Sequence, residues 1–215
     1  MKLLLTAFNA FGSLTVNPSQ GIVEDYVLRH SLSEACEIRG EVLETAYGLA
    51  EKRIVALLDQ FRPDVLLMFG VAQKRAGVSI ERWAKNWDAV TIPDNAGEIR
   101  VGQPILASGP AEYSVTIPAE GLVEALRSES IPAEVSDDAG AFVCNHTLYA
   151  ALHHLQKFGG VTKCGFVHIP LPVELQSSGD VSGGVTFNEL LRAVDVCVRF
   201  LQDWQQGIAV TTTTG

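Results

Sequence analysis

The sequence predicts an α/β fold: a single domain with an open, twisted, mostly parallel sheet and helices on both faces. Three observations support this fold class. Strand-like segments alternate with helical segments along the chain. Residues 65–69 form a continuous apolar run, as expected for a central parallel strand that is covered on both faces. No internal repeat or linker divides the 215 residues, so we expect one domain over 1–209 and a disordered tail at 210–215.

The individual elements follow from their local patterns. Lys2–Phe8 has no small-x-small cleavage site behind it, which indicates a first core strand rather than a signal peptide. Ser19 is the expected N-cap of a first helix, and residues 78–87 fit neither a helix nor a strand clearly. Residues 98–118 are expected to form a long surface excursion. The other predicted strands are 37–45, 65–69, Ala133–Ser136 and 164–168, and the other predicted helices are 49–61, Ala119–Ser128, 145–157 and 186–205.

Composition and charge argue against several classes of protein. A hydrophobic fraction of 47% with 19% charged residues allows a large core. A net charge of −9 without a basic stripe argues against binding to nucleic acid or to an anionic membrane, and no apolar run is long enough to span one. The four cysteines are scattered, which predicts reduced thiols in the cytoplasm. No zinc spacing or nucleotide-binding glycine motif is present, so we expect no metal and no cofactor.

Cys144 is the first candidate for chemistry. Glycine and short polar residues precede it and an apolar helical pattern follows, which predicts that the thiol lies near the first turn of a helix. Unpaired N–H groups and the helix dipole there favour the thiolate, and with an imidazole nearby they can lower a thiol pKa by about 2 units. The alternative is a small buried hydrophobe, because Cys144 shares a helical face with Leu148 and Leu152. A role in chemistry therefore requires an imidazole.

His168 is the candidate imidazole. It stands at the exit of the predicted strand 164–168, and ligands of such sheets bind beyond the carboxyl ends of the strands. The alternative is a hydrogen-bonded structural histidine. Glu81 and Asp94 are both candidates for the carboxylate that orients the imidazole. A surface acid and a turn residue are their respective alternatives, and position in the chain does not separate them.

Seven stretches of the sequence, read in order, resemble the type I pyroglutamyl peptidase family. The likeness extends to the final helix, and the joint order and spacing of the stretches is specific although each alone is weak. The stretches are LLTAFNAFG at 4–12, VNPS at 16–19, RPD at 62–64, IERWAKN at 80–86, IPDN at 92–95, AGAFVCNH at 139–146 and GFVHIP at 165–170.

The resemblance implies a cysteine peptidase that removes an N-terminal pyroglutamyl residue from peptides. It implies Cys144 as the nucleophile, His168 as the general base and acid, and Glu81 as the carboxylate that orients the imidazole. Glu81 is thereby preferred to Asp94. The resemblance also implies a homo-oligomer, either a dimer or a tetramer, and no metal.

The same resemblance implies an apolar pocket for the lactam ring. Phe8, Phe11 and Phe142 match its aromatic positions, and we add Asn17 and Val71 as predicted substrate-binding residues. Pyroglutamate is small, flat and neutral, so an apolar site with few polar groups suits it.

Several positions depart from the family pattern. Val71 stands where glutamine or leucine is usual, and Thr91 stands where an arginine usually precedes Ile-Pro-Asp-Asn. The opening Ala7-Phe8-Asn9-Ala10 also differs from the usual Gly-Phe-acid-Pro. Two alternatives therefore stay open: the same site acting on another small lactam or amide, and a lactam-binding protein without catalysis.

Overall fold

A six-stranded sheet forms the centre of this computed structural model, which describes residues 1–30, 36–176 and 184–208. The strands are β1 (Lys2–Phe8), β2 (Glu37–Leu43), β3 (Val65–Val71), β4 (Val78–Glu81), β5 (Trp83–Lys85), β6 (Asp88–Ala89), β7 (Val101–Gln103), β8 (Glu112–Ser114), β9 (Ala133–Ser136) and β10 (Lys163–Ile169). The large sheet has the order β2-β1-β3-β10-β4-β9. Its β10–β4 pairing is antiparallel and its other pairings are parallel, which confirms the predicted mostly parallel sheet.

Helices cover both faces of the sheet, as predicted. They are α1 (Pro18–His30), α2 (Tyr47–Phe61), α3 (Ala119–Ser128), α4 (Val143–Lys157) and α5 (Phe187–Gln205), with a short 3-10 turn at Val173–Leu175. Apolar side chains of α1, α3 and α5 form one core cluster with the sheet, and those of α2 and α4 form a second. Among the described residues, no helix is long and apolar enough to cross a membrane.

The alternation of side chains along β1 shows how one strand serves two cores. Leu3 and Leu5 belong to the cluster with α1 and α5, whereas Leu4 and Phe8 belong to the cluster with α2 and α4. Successive residues of a strand point to opposite faces, so a central strand must be apolar throughout. Burying one such leucine stabilises the fold by about 1.5–3 kcal/mol. The continuous run in β3 follows the same rule, and every residue of that strand is buried.

Helix starts differ from the predictions by a few residues. The oxygen Oδ1 of Asn17 accepts the Ser19 N–H at 3.0 Å, so Asn17 caps α1 and the predicted cap, Ser19, lies inside the helix. Helix α4 begins at Val143 rather than at 145, which places Cys144 inside its first turn. Thr186 caps α5 in a reciprocal bond with Glu189. The tail predicted at 210–215 lies outside the described residues.

The surface excursion predicted at 98–118 has more structure than expected. Strand β7 pairs with β6 and strand β8 pairs with β5, so the excursion folds into two small antiparallel ribbons. The Tyr113 hydroxyl lies 2.7 Å from Nδ1 of His153, and the Tyr149 hydroxyl donates to the carbonyl of Pro110 at 2.8 Å. These bonds hold the β5–β8 ribbon against α4.

Candidate active site

Gly70 brings the start of α4 against the centre of the sheet. Cys144 is the second residue of α4, and Phe142 precedes the helix in an extended conformation without a side-chain cap. A Cβ atom placed on Gly70 would lie 2.9 Å from the Cys144 sulfur and 2.8 Å from the Phe166 ring. Contacts that short do not occur without displacement, so the absence of a side chain at Gly70 makes room for the thiol. The sulfur therefore lies at the carboxyl end of β3.

His168 is the neighbour of Gly70 on the next strand. The register of β10 against β3 pairs His168 with Gly70, on the face where Gly70 approaches Cys144. Nδ1 of His168 lies 2.7 Å from Oε1 of Glu81, and both side chains are buried, at 5% and 0% residual exposure. The structure therefore brings together the three residues that the sequence predicts to be catalytic.

Asp94, the competing carboxylate, has a different place. Its Oδ2 accepts the Tyr47 N–H at the start of α2, at 2.9 Å. Its Oδ1 accepts the N–H groups of Ala96 and Glu98 in the following turn. Asp94 is thus committed to capping α2 and to closing a turn, while Glu81 is the carboxylate bonded to the imidazole.

Arg75 is a site residue that sequence reasoning missed. It lies in the loop between β3 and β4, and its guanidinium donates to Oε1 of Glu81 at 2.6 Å. The same guanidinium donates to the carbonyl of Asp138 at 2.6 Å, in the segment that leads to α4. A basic residue six positions before Glu81 was the only signal in the sequence, and it does not reveal either contact.

Electrostatics keep Glu81 charged. Burial alone would raise the pKa of Glu81, but the hydrogen bond and charge of His168, with Ser136 and Arg75, bring this pKa below its ordinary value. The carboxyl group is therefore ionised at neutral pH. An ionised carboxylate at Nδ1 fixes a proton on that nitrogen, which leaves Nε2 of the imidazole as the proton acceptor.

The Cys144 thiol does not follow the predicted shift. Burial raises its pKa to about 12, and the negative charge of Glu81 adds to the rise, while Arg75 opposes it. The sequence predicts a lowered pKa from the helix start, but it does not reveal how closely the sulfur of this partly buried residue packs against Gly70. The free site therefore holds a neutral thiol.

An aromatic wall stands beside the thiol. Phe11 and Phe142 are partly exposed, and their ring centroids are 5.8 Å apart. Tyr47 meets Phe142 edge-on at 5.5 Å from behind. Phe8 is only 1% exposed and packs on Phe166, so its ring lies in the core. Phe11 and Phe142 are thus the two predicted pocket residues with accessible ring surface.

The two remaining predicted substrate-binding residues are engaged within the protein. Asn17 caps α1 with its oxygen and donates from Nδ2 to the carbonyl of Asn9 at 3.0 Å, which closes the loop that carries Phe11. Val71 is the neighbour of Gly70 on β3 and therefore points to the opposite face, into the core with α1 and α5. The Val71 side chain does not share the face of Cys144, so a contact with substrate would use its backbone.

Comparison with known proteins shows the family of the chain. A family model described as pyroglutamyl peptidase matches residues 1–202. The chain belongs to the pyroglutamyl peptidase family. The pyrrolidone-carboxylate peptidase of Thermoanaerobacter sp. (strain X514) is 34% identical over 202 residues, which are 94% of this chain and 98% of that protein. That of Yersinia pseudotuberculosis serotype O:3 (strain YPIII) is 33% identical over 210 residues, or 98% and 97%.

Solved structures of this peptidase family have the same fold. A pyrrolidone carboxyl peptidase structure from Pyrococcus furiosus matches with a TM-score of 0.87 at 31% identity. The match covers 94% of this chain and 99% of that chain. Membership of the pyroglutamyl peptidase family makes the chain a peptidase by family and confirms the resemblance predicted from the sequence.

Two further residues fasten the first turn of α4 in this family member. Asn145 accepts the Lys85 N–H and donates to the Lys85 carbonyl, both at 2.8 Å, so its side chain extends β5 like a strand partner. Nδ1 of His146 lies 2.8 Å from Asp88, and Nε2 lies 3.3 Å from Glu51. Both residues sit next to Cys144, and both bind the ribbon region to the helix that carries the thiol.

The same cluster includes a cation and an aromatic ring. Arg100 donates to Oδ2 of Asp88 at 2.8 Å and lies 4.4 Å from the centre of the Tyr47 ring. Burial would lower the pKa of His146, but its hydrogen bonds to Asp88 and Glu51 raise it above the ordinary value. The cluster therefore links the ribbons to Tyr47, which supports the Phe142 ring.

Metal ligation is not indicated by the geometry in the described part of the chain. No group of three or more His, Cys, Asp or Glu side chains there is arranged to hold a metal ion. A separate cavity of about 530 Å³ lies at the amino ends of β3 and β10, between Pro63 and Phe158. It is at the opposite edge of the sheet from Cys144 and contains none of the predicted site residues.

Proposed function

We propose that this protein is a cysteine-type pyroglutamyl peptidase that hydrolyses the amide bond after an N-terminal pyroglutamyl residue. The observation that carries the proposal is the 2.7 Å contact between Nδ1 of His168 and Oε1 of Glu81. His168 is the strand neighbour of Gly70, and the Cys144 thiol packs against Gly70. A nucleophile, a base and a carboxylate that orients the base are the parts that covalent amide hydrolysis requires. The names of the relatives agree with this substrate.

The reaction begins with a neutral thiol. Nε2 of His168 accepts the proton of Cys144 as the sulfur attacks the pyroglutamyl carbonyl carbon. Because burial raises the thiol pKa, the sulfur needs His168 as a base to become nucleophilic. N–H groups in the first turn of α4 have no carbonyl partner within the helix, so they are available to the oxyanion.

The remaining steps return the enzyme to its starting state. The C–N bond breaks, His168 gives its proton to the leaving amine, and a thioester remains on Cys144. Water then attacks the thioester, passing its proton to His168 and on to the sulfur as pyroglutamate leaves. Glu81 stays ionised throughout and stabilises the imidazolium that forms twice in each cycle.

The aromatic wall determines which residue enters. Phe11 and Phe142 offer partly exposed ring faces beside the thiol, and the lactam ring is flat and uncharged. A free α-ammonium group would lose hydration against these rings, which is costly. We therefore propose that pyroglutamyl peptides are accepted and that peptides with a free N-terminal amine are rejected.

A reporter assay tests the function directly. Pyroglutamyl-7-amino-4-methylcoumarin is expected to be cleaved, and prolyl-7-amino-4-methylcoumarin, which has the same ring size but a free amine, is expected to be left intact. Iodoacetamide and Cys144→Ala should each abolish cleavage, with Cys164→Ala as the matched cysteine control. Unchanged activity of Cys144→Ala would falsify the mechanism.

The departures at Val71 and Thr91 favour testing a second substrate class. A panel of aminomethylcoumarin amides of other small lactams separates the alternatives. Clear preference for another lactam would replace pyroglutamate as the substrate. Tight lactam binding without turnover of any amide would favour a binding protein. Turnover that depends on Cys144 excludes that last alternative.

We also propose that the protein is a cytoplasmic homo-oligomer, as a dimer or tetramer. The support is apolar surface on the ribbons, where Val101 is 74% exposed near Ile99 and Trp87. Light scattering coupled to gel filtration measures the mass. Val101→Asp is expected to lower it, and the exposed Leu28→Asp on α1 is the control. A monomeric wild type at micromolar concentration contradicts the proposal.

A further inference from the structure

Arg75 joins the two halves of the proposed catalytic site. One end of its guanidinium donates to Glu81, which holds the imidazole, and the other donates to the carbonyl of Asp138, six residues before the thiol. The side chain is 21% exposed and reaches a carboxylate with no exposure at all. Two N–H groups of one rigid plane make the contacts, so this residue ties Glu81 to the segment that leads to Cys144.

The charge of Arg75 offsets the repulsion between the Glu81 carboxylate and a thiolate at Cys144. The Glu81 carboxylate that orients His168 also opposes the formation of a thiolate nearby, because both are anions in a dehydrated place. Arg75 is the fixed cation bonded to that carboxylate. Together with an imidazolium at His168, it makes the site neutral when the thiolate forms.

The other charged groups near the thiol have less influence on its ionisation. Asp138 carries its carboxylate 71% exposed toward solvent, where Nζ of Lys85 lies 3.3 Å from it. An exposed and paired carboxylate acts weakly at a distance because water and salt screen it. Among the described groups facing Cys144, the effective charges are those of Glu81, His168 and Arg75.

We propose that Arg75 is a positioning residue that holds Glu81 against His168 and, through its charge, makes the thiolate–imidazolium pair of Cys144 and His168 accessible. The part of this inference that concerns catalysis rests on the proposed peptidase function. The part that concerns the reactivity of the Cys144 thiol is independent of that function, because this reactivity can be measured without any substrate.

The first experiment measures alkylation of Cys144 by iodoacetamide from pH 6 to 10, with the modified peptide quantified by mass spectrometry. Arg75→Met keeps an unbranched side chain of similar length to the aliphatic part of arginine and removes the charge. It is expected to slow alkylation at pH 7 about tenfold, the change in thiolate fraction for a shift of one pKa unit. Its pH profile should move to higher pH.

Three further variants make the result specific. Arg75→Lys keeps the charge and should recover most of the alkylation rate. Arg75→Gln keeps a donor without charge and replaces the Met variant if that one does not fold. Arg82→Met removes a neighbouring arginine whose ion pairs with Asp137 and Glu120 are on the surface, and it should leave the profile unchanged. A wild-type profile in a folded, uncharged Arg75 variant overturns the inference.

The second experiment uses the pyroglutamyl reporter. Arg75→Met should lower kcat at least tenfold and leave KM within about twofold, because Arg75 contacts Glu81 and not the aromatic wall. A change in alkylation without any hydrolysis by the wild type would refute the proposed function alone. Normal hydrolysis and normal alkylation in Arg75→Met would refute the role of Arg75 alone.

Discussion

The sulfur of Cys144 occupies the space that a side chain on Gly70 would need. A Cβ atom at position 70 would lie 2.9 Å from Sγ and would also meet the ring of Phe166, which packs on His168. A side chain at this point of β3 would therefore displace the thiol or the ring that packs on His168.

Substitution of this glycine is expected to damage activity more than stability. Gly70→Ala should push the sulfur away from His168 and lower kcat on the pyroglutamyl reporter by about 100-fold, since small misplacements of reacting groups have effects of that order. Gly48→Ala on α2, where nothing lies within 4 Å of the new methyl group, is the control and should keep full activity. A fully active Gly70→Ala enzyme would show that the thiol reacts from another position.

Removal of the Glu81 charge is expected to slow the reaction without preventing binding. Glu81→Gln keeps the shape but loses the ionic partner of His168 and Arg75, so kcat should fall by about 100-fold or more. Steady-state kinetics with the reporter measures it, and KM should change little. Glu134→Gln on β9, whose carboxylate accepts from the Ser79 hydroxyl, is the matched control. Equal losses in both variants would indicate a general effect on the sheet.

The His146 cluster predicts a pH-dependent contribution to stability. The folded pKa of His146 lies above its unfolded value of about 6.5, so its contribution is complete below that pH and is lost as pH rises through the folded pKa. The pKa of Glu51 is lowered by the bond with His146, so that contribution is present above about pH 4.3 and is lost as pH falls through the folded pKa. The stabilisation should be greatest between these limits.

Thermal unfolding of His146→Gln tests this pH dependence. At pH 5.5 the variant should be less stable than the wild type by about 2 kcal/mol, because a buried charged pair loses one member. The deficit should shrink at pH 8.5. His154→Gln removes a histidine whose partner, Asp59, is mostly exposed, and it should cost little at either pH. A deficit for His146→Gln that grows with pH would contradict the assignment.

The departure at position 91 predicts a gain of activity. Thr91 is exposed and stands where the family resemblance expects an arginine near the active site. Thr91→Arg should add a donor for the developing negative charge and raise kcat/KM on the reporter by about tenfold, a modest value for one electrostatic contact. Thr15→Arg, at another exposed threonine, is the control. No gain at position 91 would mean that this chain supports the oxyanion by other groups.

Much of the fold was predictable because burial in the two core clusters requires a simple apolar pattern in the sequence. The run in β3 and the alternation in β1 report burial on two faces, which local sequence shows directly. Cys144, His168 and Glu81 follow as a set from the residues joined with the family resemblance, and their catalytic roles stay predictions. The helix start at Val143 was not, because Phe142 caps α4 by backbone conformation and offers no polar side chain as a signal.

The unpredicted features depend on contacts between distant segments. Arg75 reaches Asp138 across 63 positions and Asn145 reaches Lys85 across 60, and neither pairing leaves a periodic trace. The rise in the Cys144 pKa has the same origin, since it comes from burial in the assembled fold and from the charge of Glu81 on β4. Charge and burial at the site are properties of the assembled sheet.

The pairing of β4 with β10 has a consequence for how this scaffold can change. Glu81 and His168 stand on adjacent strands of the central sheet, whereas Val71 and Thr91 stand at a strand end and in a turn. Side chains on paired strands keep their geometry when surrounding loops are altered. Loop redesign for other cyclic acyl groups that leaves Arg75 in place can therefore retain the acid–base pair, which makes this chain a suitable starting point for directed evolution of new deacylases.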